Sequence, residues 1–166
     1  MPTDIFFRDV CENFPKVSGT AIYLFNLNEG IPHALMLNLR HNKVLHERNI
    51  FLHVSIEEKS YVDEKDRIRI VNLGHDFYRM TLRYGFMDEV DVPLEIAKEH
   101  IHGLKIAMDE VSYFAGKETV VPTDLPGMAL WREHLFAWMT RNAASIVDYY
   151  KLPSKQVMEL GSRIDI

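Results

Sequence analysis

Thr20-Ala-Ile-Tyr-Leu-Phe25 and Asn49-Ile-Phe-Leu-His-Val-Ser-Ile56 are the two stretches that decide the fold of this chain. Each is a compact apolar run rich in β-branched and aromatic residues, which is typical of a buried strand. Between them, Pro32 suits the first turn of a helix, and Leu35 and Leu39 give that helix an apolar stripe. A strand, a helix and a strand in so short a span predict a βαβ unit with two parallel strands, adjacent or nearly so.

Downstream of this unit the pattern changes from continuous apolar runs to alternation. Arg67 to Val71 and Phe77 to Tyr84 alternate polar with apolar residues, and the turn-rich segment Asn72 to Asp76 separates them. This arrangement predicts an antiparallel hairpin that has one wetter face. A further helix is expected to begin at Asp91, because aspartate caps helices and Pro93 fits a first turn.

The last third of the chain predicts more strands and one long helix. Val111 to Phe114 and Glu118 to Val121 form strand-like runs, and Val157 to Ile164 is typical of a closing strand. The strongest helical pattern begins at Pro126. Its predicted buried stripe includes Trp131, Leu135 and Trp138. We therefore expect one α/β domain over residues 1–166, with a mixed sheet that contains the parallel βαβ unit and the antiparallel hairpin, and with helices on both faces.

Composition argues against several classes of protein. The net charge is -5 with acidic and basic residues interleaved, which disfavours a nucleic-acid partner. The single cysteine, Cys11, excludes an intramolecular disulfide and a cysteine zinc cluster. The eight histidines lack metal-site spacing, and no phosphate loop or nucleophile motif occurs. We expect no enzyme activity, no catalytic residue, no metal and no cofactor.

One candidate contact segment runs from His41 to Arg48 and is dense in hydrogen-bond donors. It enters the second apolar strand at its amino end, whereas ligands of α/β sheets bind at carboxyl ends. The segment therefore suits structural hydrogen bonding or partner contact better than a nucleotide, and a solvated, charged helix end is the alternative.

A second candidate segment runs from Thr81 to Asp88, where large apolar residues flank Gly85. It is either a strand end that packs in the core or an exposed interface. The candidate ligand or interface residues of the two segments are His41, Asn42, Lys43, His46, Arg48, Arg83 and Tyr84.

Several blocks of the sequence resemble one known family in a single collinear order. They are Gly19-Thr20-Ala21, Pro32-His33-Ala34-Leu35, His41-Asn42-Lys43-Val44-Leu45-His46-Glu47-Arg48, Leu82-Arg83-Tyr84-Gly85-Phe86-Met87, Ser112-Tyr113-Phe114 and Pro126-Gly127-Met128-Ala129-Leu130-Trp131-Arg132-Glu133. These blocks are similar to the C-terminal cytoplasmic domain of Kup-type (HAK/KUP/KT family) potassium uptake transporters. The resemblance covers nearly the whole chain.

This resemblance implies an integral-membrane transporter, described as a potassium–proton symporter, in which the domain follows the last membrane helix. The domain would lie at the cytoplasmic face of the cell membrane, and its partner would be its own transmembrane domain. Residues 1–15 resemble the segment that leads out of the membrane, and we expect them to form a short connecting helix. The ion pathway would lie outside this sequence.

The role implied for the domain is regulation or assembly of the transporter. Related transporters are thought to be dimers, and some respond to the cyclic dinucleotide c-di-AMP. A homodimer is expected partly because Ile5, Phe6, Phe7 and Val10 give the first helix more apolar surface than a free terminal helix needs; packing on its own domain is the alternative. A small-molecule- or cyclic-dinucleotide-binding α/β domain, a hydrolytic α/β enzyme and a purely structural dimerisation module are the alternative functions.

Overall fold

The computed structural model describes residues 3–25, 30–98, 106–121 and 146–165. In it a six-stranded sheet has the strand order β3-β4-β2-β1-β5-β6. The strands are β1 (Lys16–Leu24), β2 (Leu45–Glu57), β3 (Ile68–Gly74), β4 (Phe77–Gly85), β5 (Val111–Val121) and β6 (Val157–Asp165). The α-helices are α1 (Thr3–Asn13), α2 (His33–His41), α3 (Glu64–Arg67), α4 (Val92–Lys98) and α5 (Ile146–Tyr149), and short 3-10 turns precede β5 and β6.

The predicted βαβ unit is confirmed. Strands β1 and β2 are adjacent and parallel, with Ala21 opposite Asn49 and Leu24 opposite Leu52, and α2 connects them. Strand β2 begins at Leu45, earlier than the apolar run that predicted it. The reason is that the Leu45 side chain is fully buried and its backbone pairs with Lys16 at the start of β1.

The predicted hairpin is also confirmed. Strand β3 pairs antiparallel with β4, and the chain reverses at His75 and Asp76, which both have positive φ. Every other pairing in the sheet is parallel. The sheet therefore has an amino edge, where the parallel strands begin, and a carboxyl edge, where they end.

The two faces of the sheet bury different side chains. One face is aromatic: Tyr23, Phe51, Phe77 and Phe114 lie under α1 and α2. The other face is mainly aliphatic, and Val92 and Ile96 of α4 cover part of it. Helices therefore cover both faces, as the sequence predicts.

Helix α1 packs on its own sheet. The Phe7 side chain is 1% exposed, and its ring stacks on Phe77 with centroids 4.4 Å apart. Val10 is buried as well. Phe7 and Val10 are therefore not spare apolar surface, because they pack on the aromatic face of the sheet, and Phe6 is partly buried there as well. This agrees with the alternative that the helix packs on its own domain, and it removes that part of the reason for expecting a dimer.

Two further predictions concern the last third of the chain. The runs predicted on either side of Gly116 are one continuous strand, β5, since each half pairs with β6. The long helix predicted from Pro126, with Trp131, Leu135 and Trp138, lies outside the described residues apart from its last turn, α5.

Candidate functional site

The structure divides the predicted candidate residues between the two edges of the sheet. His41 to Arg48 lie at the amino edge, where α2 ends and β2 begins. Arg83 and Tyr84 lie at the carboxyl edge, near the end of β4. Strand β2 runs the whole distance, roughly 40 Å for its thirteen residues at about 3.3 Å per residue. The seven candidates therefore do not form one site.

A network of side-chain amides holds the turn at the amino edge. Asn38 is buried and donates from Nδ2 to the Tyr23 hydroxyl (3.2 Å) and to the Val44 carbonyl (3.1 Å). Its Oδ1 accepts from Nδ2 of Asn42 at 2.8 Å. Lys43 has φ of +55°, so the chain leaves α2 through a left-handed residue. We call Tyr23, Asn38, Asn42 and Val44 the amide network.

The remaining amino-edge candidates differ in exposure. His41, Asn42 and Lys43 are exposed. The His46 ring packs edge-on against Phe114 at 5.8 Å, and burial lowers the pKa of His46 below its ordinary value. His46 is therefore a neutral packing residue at physiological pH. Arg48 is half-buried in β2 opposite Thr20.

A mostly buried cluster of charges stabilises the carboxyl edge. The Arg67 guanidinium donates to Asp88 (3.0 Å) and to Glu95 (3.1 Å), and the side chains of both acids are only 9% exposed. The same guanidinium lies over the Tyr84 ring, 5.4 Å from its centroid. We call Arg67, Tyr84, Asp88 and Glu95 the ionic cluster.

Asp88 also fixes the turn that follows β4. Its Oδ2 accepts from the backbone N–H groups of Gly85 (2.6 Å) and Val62 (2.9 Å). Burial alone raises the pKa of Asp88, but these two N–H donors and Arg67 outweigh it and hold the pKa below its ordinary value. Ionised Asp88 therefore links the turn after β4 to the loop that contains Val62.

The braced turn presents three large apolar side chains to solvent. Tyr61, Phe86 and Met87 are 62%, 61% and 58% exposed. The backbone N–H of Phe86 donates to the Lys59 carbonyl, which brings the two loops together. Gly85 lies so close to the Ser60 carbonyl that a Cβ at this position would clash with it. We call Tyr61, Phe86 and Met87 the apolar tip.

The segment from Thr81 to Asp88 thus combines both alternatives that the sequence left open. Leu82 and Tyr84 are buried in the core, whereas Phe86 and Met87 are exposed. Arg83 donates twice to the Asp66 carbonyl, at 2.8 and 3.1 Å, so it links β4 to α3.

A cavity of about 360 Å³ opens at the carboxyl end of β1. Its lining includes Phe25, His33, His53, Gly116 and Tyr150. Among the described residues no group of three histidine, cysteine or acidic side chains is arranged to hold a metal ion. Nor does that part of the chain contain a helix long and apolar enough to cross a bilayer.

Comparison with known proteins shows the family. The model of a family described as "K+ potassium transporter C-terminal domain" matches residues 18–166. The chain belongs to this family of potassium-transporter C-terminal domains. The family consists of transporter domains, not enzymes, which agrees with the prediction that the chain is not an enzyme.

Relatives of this potassium-transporter domain are much longer than the chain. A probable potassium transport system protein Kup 1 of Novosphingobium aromaticivorans is 47% identical over 166 residues, which is all of this chain and 26% of the relative. A probable potassium transport system protein Kup of Zymomonas mobilis is 46% identical over the same spans. The chain covers about a quarter of these relatives, and no solved structure matches it.

Sequence reasoning missed two features of this K+ transporter domain. The ionic cluster draws on residues that are far apart in sequence, from Arg67 to Glu95, so no local motif marks it. The cavity depends on where β1 stops relative to its neighbours, which periodicity does not reveal. A signal was present for the apolar tip, since Phe86 and Met87 follow a glycine directly after a strand.

Proposed function

We propose that the domain is the cytoplasmic C-terminal part of a potassium uptake transporter and that it regulates transport by packing against the membrane part of the same protein. The observation that carries this proposal is the family match over residues 18–166, together with relatives that are about four times as long. Potassium–proton symport, implied by the family resemblance, is the activity that the domain would modulate.

The apolar tip is the surface that we propose for this contact. Exposed aromatic and methionine side chains are enriched at protein interfaces. Here the ionic cluster and the close approach of Gly85 to Ser60 hold the turn rigidly, so little conformational entropy is lost on docking. The occupant we propose is the remaining three quarters of the transporter, outside the match to this chain.

The exposed amino-edge residues form a second, polar surface in this proposal. His41, Asn42 and Lys43 present donors to solvent at the end of α2. We propose that they contact a partner subunit in a two-fold homodimer of the transporter. His46, Arg48, Arg83 and Tyr84 are assigned structural roles, because each is half-buried or buried. Regulation by c-di-AMP rests on the family resemblance alone and stays a prediction.

The test of the tip uses the full-length transporter in cells that lack their own potassium uptake. Phe86→Ser with Met87→Ser removes the apolar tip. Met36→Ser with Met158→Ser is the matched control, because these two side chains are similarly exposed and lie on α2 and β6. We expect the tip variant to change the uptake rate by about fivefold or more, as typical coupling energies allow. Uptake equal to that of the control variant, at equal protein level, would refute the proposed contact.

A further inference from the structure

Three arginines lie on one face of the hairpin formed by β3 and β4. The register places Arg69 directly opposite Thr81, and Arg79 directly opposite Val71. Residues that lie opposite each other in an antiparallel pair point to the same face, and so do residues two apart on one strand. Arg69, Arg79 and Arg83 therefore surround Thr81 on a single face. We call Arg69, Arg79 and Thr81 the arginine face.

The arginine face belongs to the aromatic side of the sheet. The alternate residues of the hairpin pack in or against the aliphatic core; they are Ile68, Ile70, Met80 and Leu82. Phe77, two residues before Arg79, lies in the aromatic core instead. Arg69 and Val71 are exposed, whereas Arg79 and Thr81 are half-buried. The outer part of this face therefore meets solvent.

The positive charges of the arginine face are not compensated. Among the described residues, no carboxylate lies within ion-pair distance of Arg69 or Arg79. In the same part of the chain, the buried Nε of Arg79 has no hydrogen-bond partner. A guanidinium that loses water without gaining a partner costs free energy, so an anion at Arg79 would be stabilising.

The surroundings of the arginine face do not cancel its charge. Arg83 donates to a backbone carbonyl, that of Asp66, which has no net charge. Strand β2 brings its acidic residue Glu57 opposite Gly85, beyond Arg83 and at the far end from Arg79. The part of the face around Arg69 and Arg79 is therefore locally cationic, although the whole chain has a net charge of -5.

Two guanidinium groups beside a hydroxyl suit phosphate oxygens. Arginine donates two parallel hydrogen bonds to a phosphate, and the Thr81 hydroxyl can donate a further one. Arg69 and Arg79 are diagonal neighbours across the hairpin, within about 8 Å of each other, so they can contact the same phosphate or two adjacent ones. Because the face is open to solvent, it suits phosphates that a larger surface presents.

Phospholipid headgroups match this chemistry better than a protein segment does. Cytoplasmic loops of membrane proteins carry an excess of lysine and arginine, which would repel the arginine face. The cytoplasmic leaflet contains anionic phospholipids and attracts basic residues that lie close to it. The apolar tip follows the same strand, β4, at Phe86 and Met87. A domain that docks through this tip therefore holds β4 next to the membrane part.

We propose that the arginine face binds the phosphate groups of anionic phospholipids in the cytoplasmic leaflet. The inference rests on the proposed position of the domain at the cytoplasmic face of the membrane. Because the net charge of the chain is negative, the attraction is local, and salt screens it beyond about 8–10 Å. Lipid contact would then orient the domain relative to the membrane part.

Vesicle co-sedimentation of the 166-residue chain tests the proposal. The probes are vesicles of phosphatidylcholine, vesicles of phosphatidylcholine with phosphatidylglycerol, and inorganic phosphate as a competitor at matched ionic strength. We expect binding to the anionic vesicles to be about tenfold tighter than to the neutral ones and to weaken with salt. Equal binding to both vesicles would overturn the proposal. Complete release by inorganic phosphate would also overturn it, because the site would then belong to the free ion.

Variants then locate the lipid contact. Arg69→Gln and Arg79→Gln each remove one charge and should each weaken binding to the anionic vesicles by about fivefold, whereas Arg69→Lys should retain most of it. Arg40→Gln, at an exposed position near the end of α2, is the matched control and should bind as the parent does. Arg69 is exposed, so unchanged binding in a folded Arg69→Gln protein would show that the arginine face is not the site.

Two further outcomes separate this inference from its alternatives. An equal loss in Arg40→Gln would show that net charge, and not the arginine face, governs binding, which would overturn the inference. The uptake test of the apolar tip is independent of lipid binding by the isolated chain. Uptake that depends on the tip, together with no preference for anionic vesicles, would refute lipid binding and leave the proposed contact with the membrane part intact.

Discussion

The amide network and the ionic cluster each stabilise a turn, at opposite edges of the sheet and with different chemistry. At the amino edge, neutral amides and a hydroxyl satisfy one another within a stretch of about twenty residues. At the carboxyl edge, one arginine joins two acids from separate segments. The difference teaches that the amide network is locally determined and contains no group that titrates in acid, whereas the ionic cluster depends on the folded core and on ionisation.

Loss of Asp88 should have the largest effect on stability. Asp88→Ala removes a partner of the buried Arg67 guanidinium and the acceptor of two backbone N–H groups. We expect a loss of about 3 kcal/mol in the free energy of unfolding, because two backbone N–H groups lose their acceptor and Arg67 keeps only Glu95 as an ionic partner. Urea denaturation measures it. A loss no larger than that of an average surface substitution would mean that solvent replaces the aspartate.

Loss of Asn38 should cost less. Asn38→Ala leaves the Tyr23 hydroxyl and the Val44 carbonyl without their buried donor, which we expect to cost about 2 kcal/mol. Asn42→Ala is the matched control, since it removes only the exposed member of the network and should cost under about 1 kcal/mol. Equal losses in the two variants, measured by the same denaturation, would contradict the central place of Asn38.

Acid should weaken the ionic cluster and leave the amide network unchanged. The pKa of Asp88 in the folded state lies below its ordinary value of 3.8, so the unfolded chain binds this proton more readily. The contribution of Asp88 is therefore complete above about pH 4 and is lost as pH falls through the lower, folded pKa. Stability should decline less steeply below pH 4 in Asp88→Asn than in the parent, by up to about 1.4 kcal/mol per pH unit.

The amide network supplies the control for this pH experiment. Asn38→Ala should keep the steep acid dependence of the parent, because no carboxylate belongs to that network. Parallel pH profiles for Asp88→Asn and the parent would show that Asp88 does not titrate as its contacts require.

Two tyrosine hydroxyls offer the smallest and most closely matched comparison. The Tyr23 hydroxyl accepts from Asn38, and the Tyr84 hydroxyl donates to the Asp91 carbonyl at 3.2 Å. Tyr23→Phe and Tyr84→Phe should each cost about 1 kcal/mol, the net value of one hydrogen bond. In Tyr84→Phe the aromatic ring under the Arg67 guanidinium remains, so that contact is preserved. A much larger loss in Tyr84→Phe would mean that the hydroxyl, and not the ring, anchors the ionic cluster.

Much of the fold could be predicted from the sequence because its signals are local. The apolar runs around Ile22 and Ile50 and the alternating hairpin strands gave the parallel and antiparallel pairs correctly. The position of α1 could not be derived in this way. Phe7 looks like spare apolar surface until the sheet brings Phe51 and Phe77, distant in sequence, underneath it.

The candidate site was less predictable, because many of its residues are distant from one another in sequence. A segment such as His41 to Arg48 is conspicuous because its donors are adjacent in sequence, and several of them serve the turn in which they occur. The carboxyl edge collects Tyr61, Arg67, Phe86 and Glu95 only after the strands have paired. Surfaces assembled from distant segments require the topology first.

Hydrogen–deuterium exchange is the most direct test of the proposal that the carboxyl edge of this domain contacts the membrane part of the transporter. Exchange is compared between the 166-residue chain and the full-length transporter. We predict that residues 58–62 and 85–88, which carry the apolar tip, become slower to exchange in the full-length protein, whereas residues 49–52 of the core do not change. Unchanged exchange at the tip, with new protection confined to residues 41–44 at the amino edge, would contradict the account.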